Sequence, residues 1–165
     1  MNVRRVRNFL ILFLTVGLTS NVFAVSDDDL KANCKVGSGD WGDFQSISEV
    51  MKSDQFEQAV GAQAKLLKKY KATSLVTVSY AKPGGATSKV QCINFQGPKY
   101  AMYAYVEMVP GGKQTEMQKQ GQLFVHTGKR IAGTARGSVL IRASTAHKNA
   151  ATARSLAVKV YKKFG

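Results

Sequence analysis

Leu75-Val76-Thr77-Val78-Ser79-Tyr80, followed by Lys82-Pro83-Gly84-Gly85 and then Lys89-Val90-Gln91-Cys92-Ile93-Asn94-Phe95, is the passage on which the fold turns. Its apolar side chains recur at every second position, which places them on one face of an extended chain. The Pro-Gly-Gly group ends the first run and reverses direction, so the passage predicts an antiparallel hairpin with a loop longer than a two-residue turn. Downstream, Tyr100 to Val109 alternates just as regularly and stops at Pro110-Gly111-Gly112, which predicts a third strand. Gln122–Thr127 and Ser138–Ala143 supply two more, separated by a glycine-rich basic stretch, 127–137, with room for a short extra strand.

On either side of this sheet the period lengthens. Ser46-Ile47-Ser48-Glu49 has the spacing of a capping box, in which hydroxyl and carboxylate each satisfy a backbone N–H at the start of a helix. Val50, Met51, Phe56, Val60, Ala64, Leu67 and Tyr70 then recur near 3.6 residues, with Ser53-Asp54 as a break or second cap. At the other end Ser144 or Thr145 caps Ala146 to Phe164, whose Ala150, Ala153, Ala157, Val160 and Phe164 form one stripe. Lys159, Lys162 and Lys163 complement the partial negative charge at that helix end. The expected architecture is α+β: an antiparallel sheet of four or five strands in meander order, flanked by an N-terminal and a C-terminal helix in a two-layer sandwich.

The first 24 residues read as an export leader. Arg4, Arg5 and Arg7 precede an apolar run from Phe9 to Leu18, and Val22-Phe23-Ala24 offers small residues at the two positions that a signal peptidase reads. Cleavage is expected after Ala24, and the apolar run is shorter than the ~20 residues a bilayer span needs. The reading therefore divides the chain into a leader over 1–24, an acidic, Gly-rich arm over 25–45 and one α+β domain over 46–165. Destination is secreted or periplasmic.

Charge narrows the function classes. The 165 residues hold 24 basic and 10 acidic side chains. Without the leader the balance is 21 to 10, a net of +11. It is uneven: 25–57 carries a net of −5, whereas 58–165 carries 18 cations against Glu107 and Glu116 alone. Asp27-Asp28-Asp29 reads as a solvated, frayed tail. With 44% hydrophobic residues and only 3 prolines the chain folds rather than remaining disordered. A basic folded body of this kind seeks anions: a phosphorylated lipid headgroup, an anionic glycan or nucleic acid.

Two cysteines in an exported chain predict one disulfide, Cys34 to Cys92. No metal or cofactor is expected, since two histidines and two bridged cysteines lack zinc-ligand spacing. If Tyr100–Val109 is a strand, Tyr103, Tyr105 and Glu107 share the face away from the helices, beside Thr77, Ser79, His126 and Arg142, and an aromatic, basic sheet face suits a polyanion. Lys129, Arg130 and Arg136 in the glycine-rich stretch form the second candidate, because glycines let phosphate oxygens approach the backbone and Arg forks onto them; the spacing is not that of a P-loop.

These observations favour an exported, non-enzymatic binding protein. The first alternative is a protein-interaction module, such as an inhibitor or assembly subunit, whose charge serves solubility and steering. The second is a small metal-independent ribonuclease with Glu107 as base, His126 or His147 as acid and Arg142 or Arg130 stabilising the phosphorane.

Overall fold

The computed structural model describes residues 25–108, 126–127, 130–149 and 151–165. The leader, Lys129 and the larger part of the predicted strand Gln122–Thr127 lie outside the described residues. Five α-helices and seven strands are present among those described: α1 (Asp27–Cys34), β1 (Asp43–Ile47), β2 (Met51–Lys52), α2 (Phe56–Val60), α3 (Ala64–Lys69), β3 (Ala72–Ala81), β4 (Thr87–Phe95), α4 (Pro98–Met108), β5 (His126–Thr127), β6 (Ile131–Arg136), β7 (Val139–Thr145) and α5 (Ala151–Tyr161).

The α+β class and the antiparallel sheet stand as expected. All pairings are antiparallel, in the order β1-β3-β4-β7-β6-β5, with the two residues of β2 beside β3. The β3–β4 hairpin keeps its register from Ser74 opposite Asn94 to Ala81 opposite Thr87. The order departs from a meander at β4, whose outer neighbour is the last strand, β7, rather than the next one.

The reason is the largest correction to the sequence reading. Pro98–Met108 is a helix, not a strand. Gly97-Pro98 opens it, proline being suited to a first turn where no N–H partner is needed. Ala101, Ala104 and Tyr105 face inward at helical spacing. The chain thus leaves the sheet after β4, and β7 fills the vacated edge.

Layering also differs from the two-layer expectation. Val76, Cys92 and Ile141 are opposite one another across β3, β4 and β7 and are buried against Leu30 and Cys34 of α1 and Ala153, Leu156, Ala157 and Val160 of α5. Their chain neighbours Leu75, Ile93 and Leu140 form the adjacent row on the reverse face, buried against Ala64 and Leu67 of α3 and Ala101, Ala104 and Tyr105 of α4. Because the side-chain period of a strand is two, these clusters lie on opposite faces, and the sheet is sandwiched between helices.

Three local expectations give way for physical reasons. Asp27-Asp28-Asp29 is not a frayed tail but the first turn of α1, where carboxylates oppose the positive end of the helix and the Ser26 hydroxyl accepts from the Asp29 N–H at 3.1 Å. Ser46 and Ile47 belong to β1 rather than to a capping box; the Ser48 hydroxyl accepts from the Thr77 N–H of the sheet at 3.0 Å. The C-terminal helix starts at Ala151, whose N–H donates to the Asn149 side chain at 2.9 Å, while Thr145 remains in β7.

Candidate functional site

The sites named from sequence are taken apart by the fold. Tyr103 and Tyr105 ride on α4, not on a strand; Tyr103 is exposed, whereas Tyr105 is buried over the sheet with its ring 3.6 Å from where a Cβ on Gly133 would stand. Glu107 is on the same helix, and its carboxylate accepts from Lys69 at 2.9 Å and from the Tyr70 hydroxyl. The hydrogen bond from Tyr70, then the Lys69 ammonium, holds Glu107 below the ordinary glutamate value.

Arg130, Arg136 and Arg142 do not converge either. Arg130 precedes β6 and Arg136 ends it, so the length of the strand separates them. Arg136 pairs with Val139 on the α5 face, where its guanidinium stands 4.7 Å from the Tyr161 ring centre and donates to the Tyr161 carbonyl at 3.5 Å. Arg142 points to the other face and donates to Gln63 Oε1 at 2.5 Å. Desolvation lowers its pKa from the ordinary arginine value. Thr77, Gln91, Arg142, Gly133 and His126 occupy one row of the strand register across five strands. The Glu107 carboxylate, the base of the ribonuclease alternative, is held by Lys69 and Tyr70. Among the described residues no three of His, Cys, Asp or Glu gather into a metal-holding set.

A different group of cations does gather. The segment from Lys35 to Gly42 crosses the end of the α1–α5 layer and is bolted to the sheet by Tyr80. The Tyr80 hydroxyl accepts from the Val36 N–H at 3.0 Å and donates to the Val36 carbonyl at 3.3 Å. Trp41 and Phe44 both stand edge-on to the Tyr80 ring with centroids 6.4 Å away, and the Trp41 indole donates to the Gly37 carbonyl at 3.1 Å. Burial of the Tyr80 ring raises the pKa of its phenol. Gly42 closes the segment at φ +110°, so near β3 that a Cβ there would stand 2.5 Å from the Ala81 carbonyl carbon.

This braced segment contributes to the walls of two clefts. One, of about 340 Å³, is lined by Trp41, Arg154, Ser155, Val158, Lys159 and Lys162. The other, of about 350 Å³, is lined by Ala32, Lys35, Val36, Gly37, Ser38, Phe44 and Lys163. No described Asp or Glu lines either. Ion pairs of the described residues engage Lys31, Lys52, Lys68 and Lys69, while Lys35, Lys159, Lys162 and Lys163 take part in none. Lys35 instead stands 3.9 Å above the Phe44 ring. Lys159 and Lys162 also stand at the C-terminal, partially negative end of α5.

Sequence reading assigned Lys159, Lys162 and Lys163 only to the helix end. What it missed was that Lys35, far away in the chain, is brought beside Lys163 by the Cys34–Cys92 disulfide and the Tyr80 anchor. The signal that was available was Trp41, the single tryptophan, in a glycine-rich segment of otherwise small and polar residues. No family model matches the chain, and no curated protein is significantly similar to it.

Proposed function

We propose that the chain is an exported, non-enzymatic basic binding protein that holds an anionic partner across the paired clefts beside α5. The observation that supports this best is the convergence of Lys35, Lys159, Lys162 and Lys163, with Arg154, on two concavities with no carboxylate among the described residues of their walls. Solvated lysines spread over a surface attract anions weakly; cations that line a cleft with low-dielectric walls focus the field and raise the local anion concentration. Two clefts walled in part by one rigid segment suit a ligand with successive oxyanion groups rather than a single small ion. Phosphate, sulfate and carboxylate groups on a lipid headgroup, a glycan or a nucleic acid share this chemistry. The disulfide and the leader-like first 24 residues favour action in an oxidising compartment.

The test is an array of anionic headgroups, sulfated and carboxylated glycans and single-stranded nucleic acid, probed at low and high salt with the protein and with a Lys159→Gln/Lys162→Gln/Lys163→Gln variant. Binding that weakens with salt and in the variant supports the reading. A partner retained at high salt and indifferent to the variant points to the protein-interaction alternative.

A further inference from the structure

Every large hydrophobic side chain that is exposed among the described residues lies on α4: Met102, Tyr103 and Val106, with Val106 at 61% of its full exposure. Positions 99, 102, 103 and 106 form the outward face of this helix, while Ala101, Ala104 and Tyr105 face the sheet. A helix apolar on both sides is ordinarily covered on both sides. Here the outward side carries a particular rim. Lys99 stands 5.8 Å from the Tyr103 ring centre, Lys71 stands 5.1 Å from Tyr100 and Lys69 stands 4.8 Å from Tyr70, whose ring meets Tyr103 at 6.1 Å. Glu107, on the same helix, is already matched by Lys69.

We propose that the outer face of α4 docks on a bilayer surface bearing anionic headgroups. A centre of Met102, Tyr103 and Val106 enters the headgroup–acyl boundary, and Lys71 and Lys99 lay their stems along it and keep their ammonium groups among the phosphates. Lysine is depleted from protein–protein interfaces, and a stable one engages roughly 20–30 residues a side. A glycan or nucleic acid would use the tyrosines but has no need of an exposed valine. No described helix is long and apolar enough to cross a membrane, so α4 lies flat. The face is on the opposite side of the sheet from the basic clefts, so this inference stands apart from the function proposed above.

Co-sedimentation of the purified protein with vesicles of phosphatidylcholine alone, and of phosphatidylcholine with phosphatidylglycerol, tests it. Retention is expected on the anionic vesicles only. Val106→Asp is expected to weaken it by roughly tenfold or more, as befits the loss of one buried aliphatic side chain, with an unchanged melting temperature because the residue is exposed. In a Tyr103→Trp variant, indole fluorescence at position 103 is expected to be quenched by brominated acyl chains beyond the background from buried Trp41. Lys159→Gln/Lys162→Gln/Lys163→Gln protein is expected to keep its sensitivity to Val106→Asp, so loss of the clefts and loss of this face are read separately. No retention on anionic vesicles, equal retention of Val106→Asp and wild type, absence of quenching at position 103, or a dimer in solution that Val106→Asp disperses would each overturn the proposal.

Discussion

At residue scale the molecule depends on a few side chains that tie distant segments together. Tyr80 is the clearest. Its hydroxyl satisfies both backbone groups of Val36 inside the core, so Tyr80→Phe leaves a buried N–H and C=O without that partner. A stability loss of about 1–3 kcal/mol is expected in denaturant titration at neutral pH. The phenol adds a pH term. Because its folded pKa is raised, its contribution is complete below the usual tyrosine value of 10.0 and is lost as the pH rises past it. Tyr80→Phe should therefore lose less stability than wild type between neutral and strongly alkaline pH. Gly42 is the second such position: Gly42→Ala forces a side chain into the left-handed region and against the Ala81 carbonyl. A fall of about 1–3 kcal/mol from backbone strain alone is expected, with weakened anion binding as the Lys35–Gly42 segment shifts.

At the scale of elements, α4 explains both what was legible in the sequence and what was not. The β3–β4 hairpin was legible because two-residue alternation, a Pro-Gly-Gly reversal and β-branched residues all agree. Tyr100–Val109 misled because Met102, Tyr103 and Val106 are apolar on the outward side of a helix, which filled in the polar positions that normally betray a 3.6-residue period. The Ser46–Glu49 box misled for a different reason: Ser46 pairs opposite Ser79 in the sheet and the neighbouring Ser48 hydroxyl accepts from the Thr77 N–H, and no local pattern records contacts across that distance. The hold of α4 on α3 through Glu107 gives an acid-limb prediction. With Glu107 depressed below the usual glutamate value of 4.5, its contact with Tyr70 and Lys69 contributes above that pH and fades as the pH falls through the lower folded value. Glu107→Gln should slightly lower the melting temperature at neutral pH, and the gap from wild type should close in strong acid.

At the scale of the whole molecule, the disulfide and the charge distribution act together. Cys34–Cys92 joins α1 to the centre of the sheet across 58 residues, and replacing both cysteines by alanine should cost roughly 4 kcal/mol on the chain-entropy account, read from denaturant midpoints. Pairing and basic character were legible from two cysteines and a lysine count. The candidate site was not, because its cations come from the loop after α1 and from the last helix, while Arg130 and Arg136 of the glycine-rich stretch are split by a strand's length and Arg142 is on the other face of the sheet from Arg136. The proposed function requires the cations of the paired clefts to capture an anion as a unit. Titration of the tightest anionic partner from the array against wild type and Lys159→Gln/Lys162→Gln/Lys163→Gln, at two salt concentrations, tests it most directly. Affinity is expected to fall roughly a hundredfold in the variant at low salt, at ~1 kcal/mol per cation, with a shallower salt dependence; equal affinity and equal salt dependence in both proteins would rule out capture by these cations.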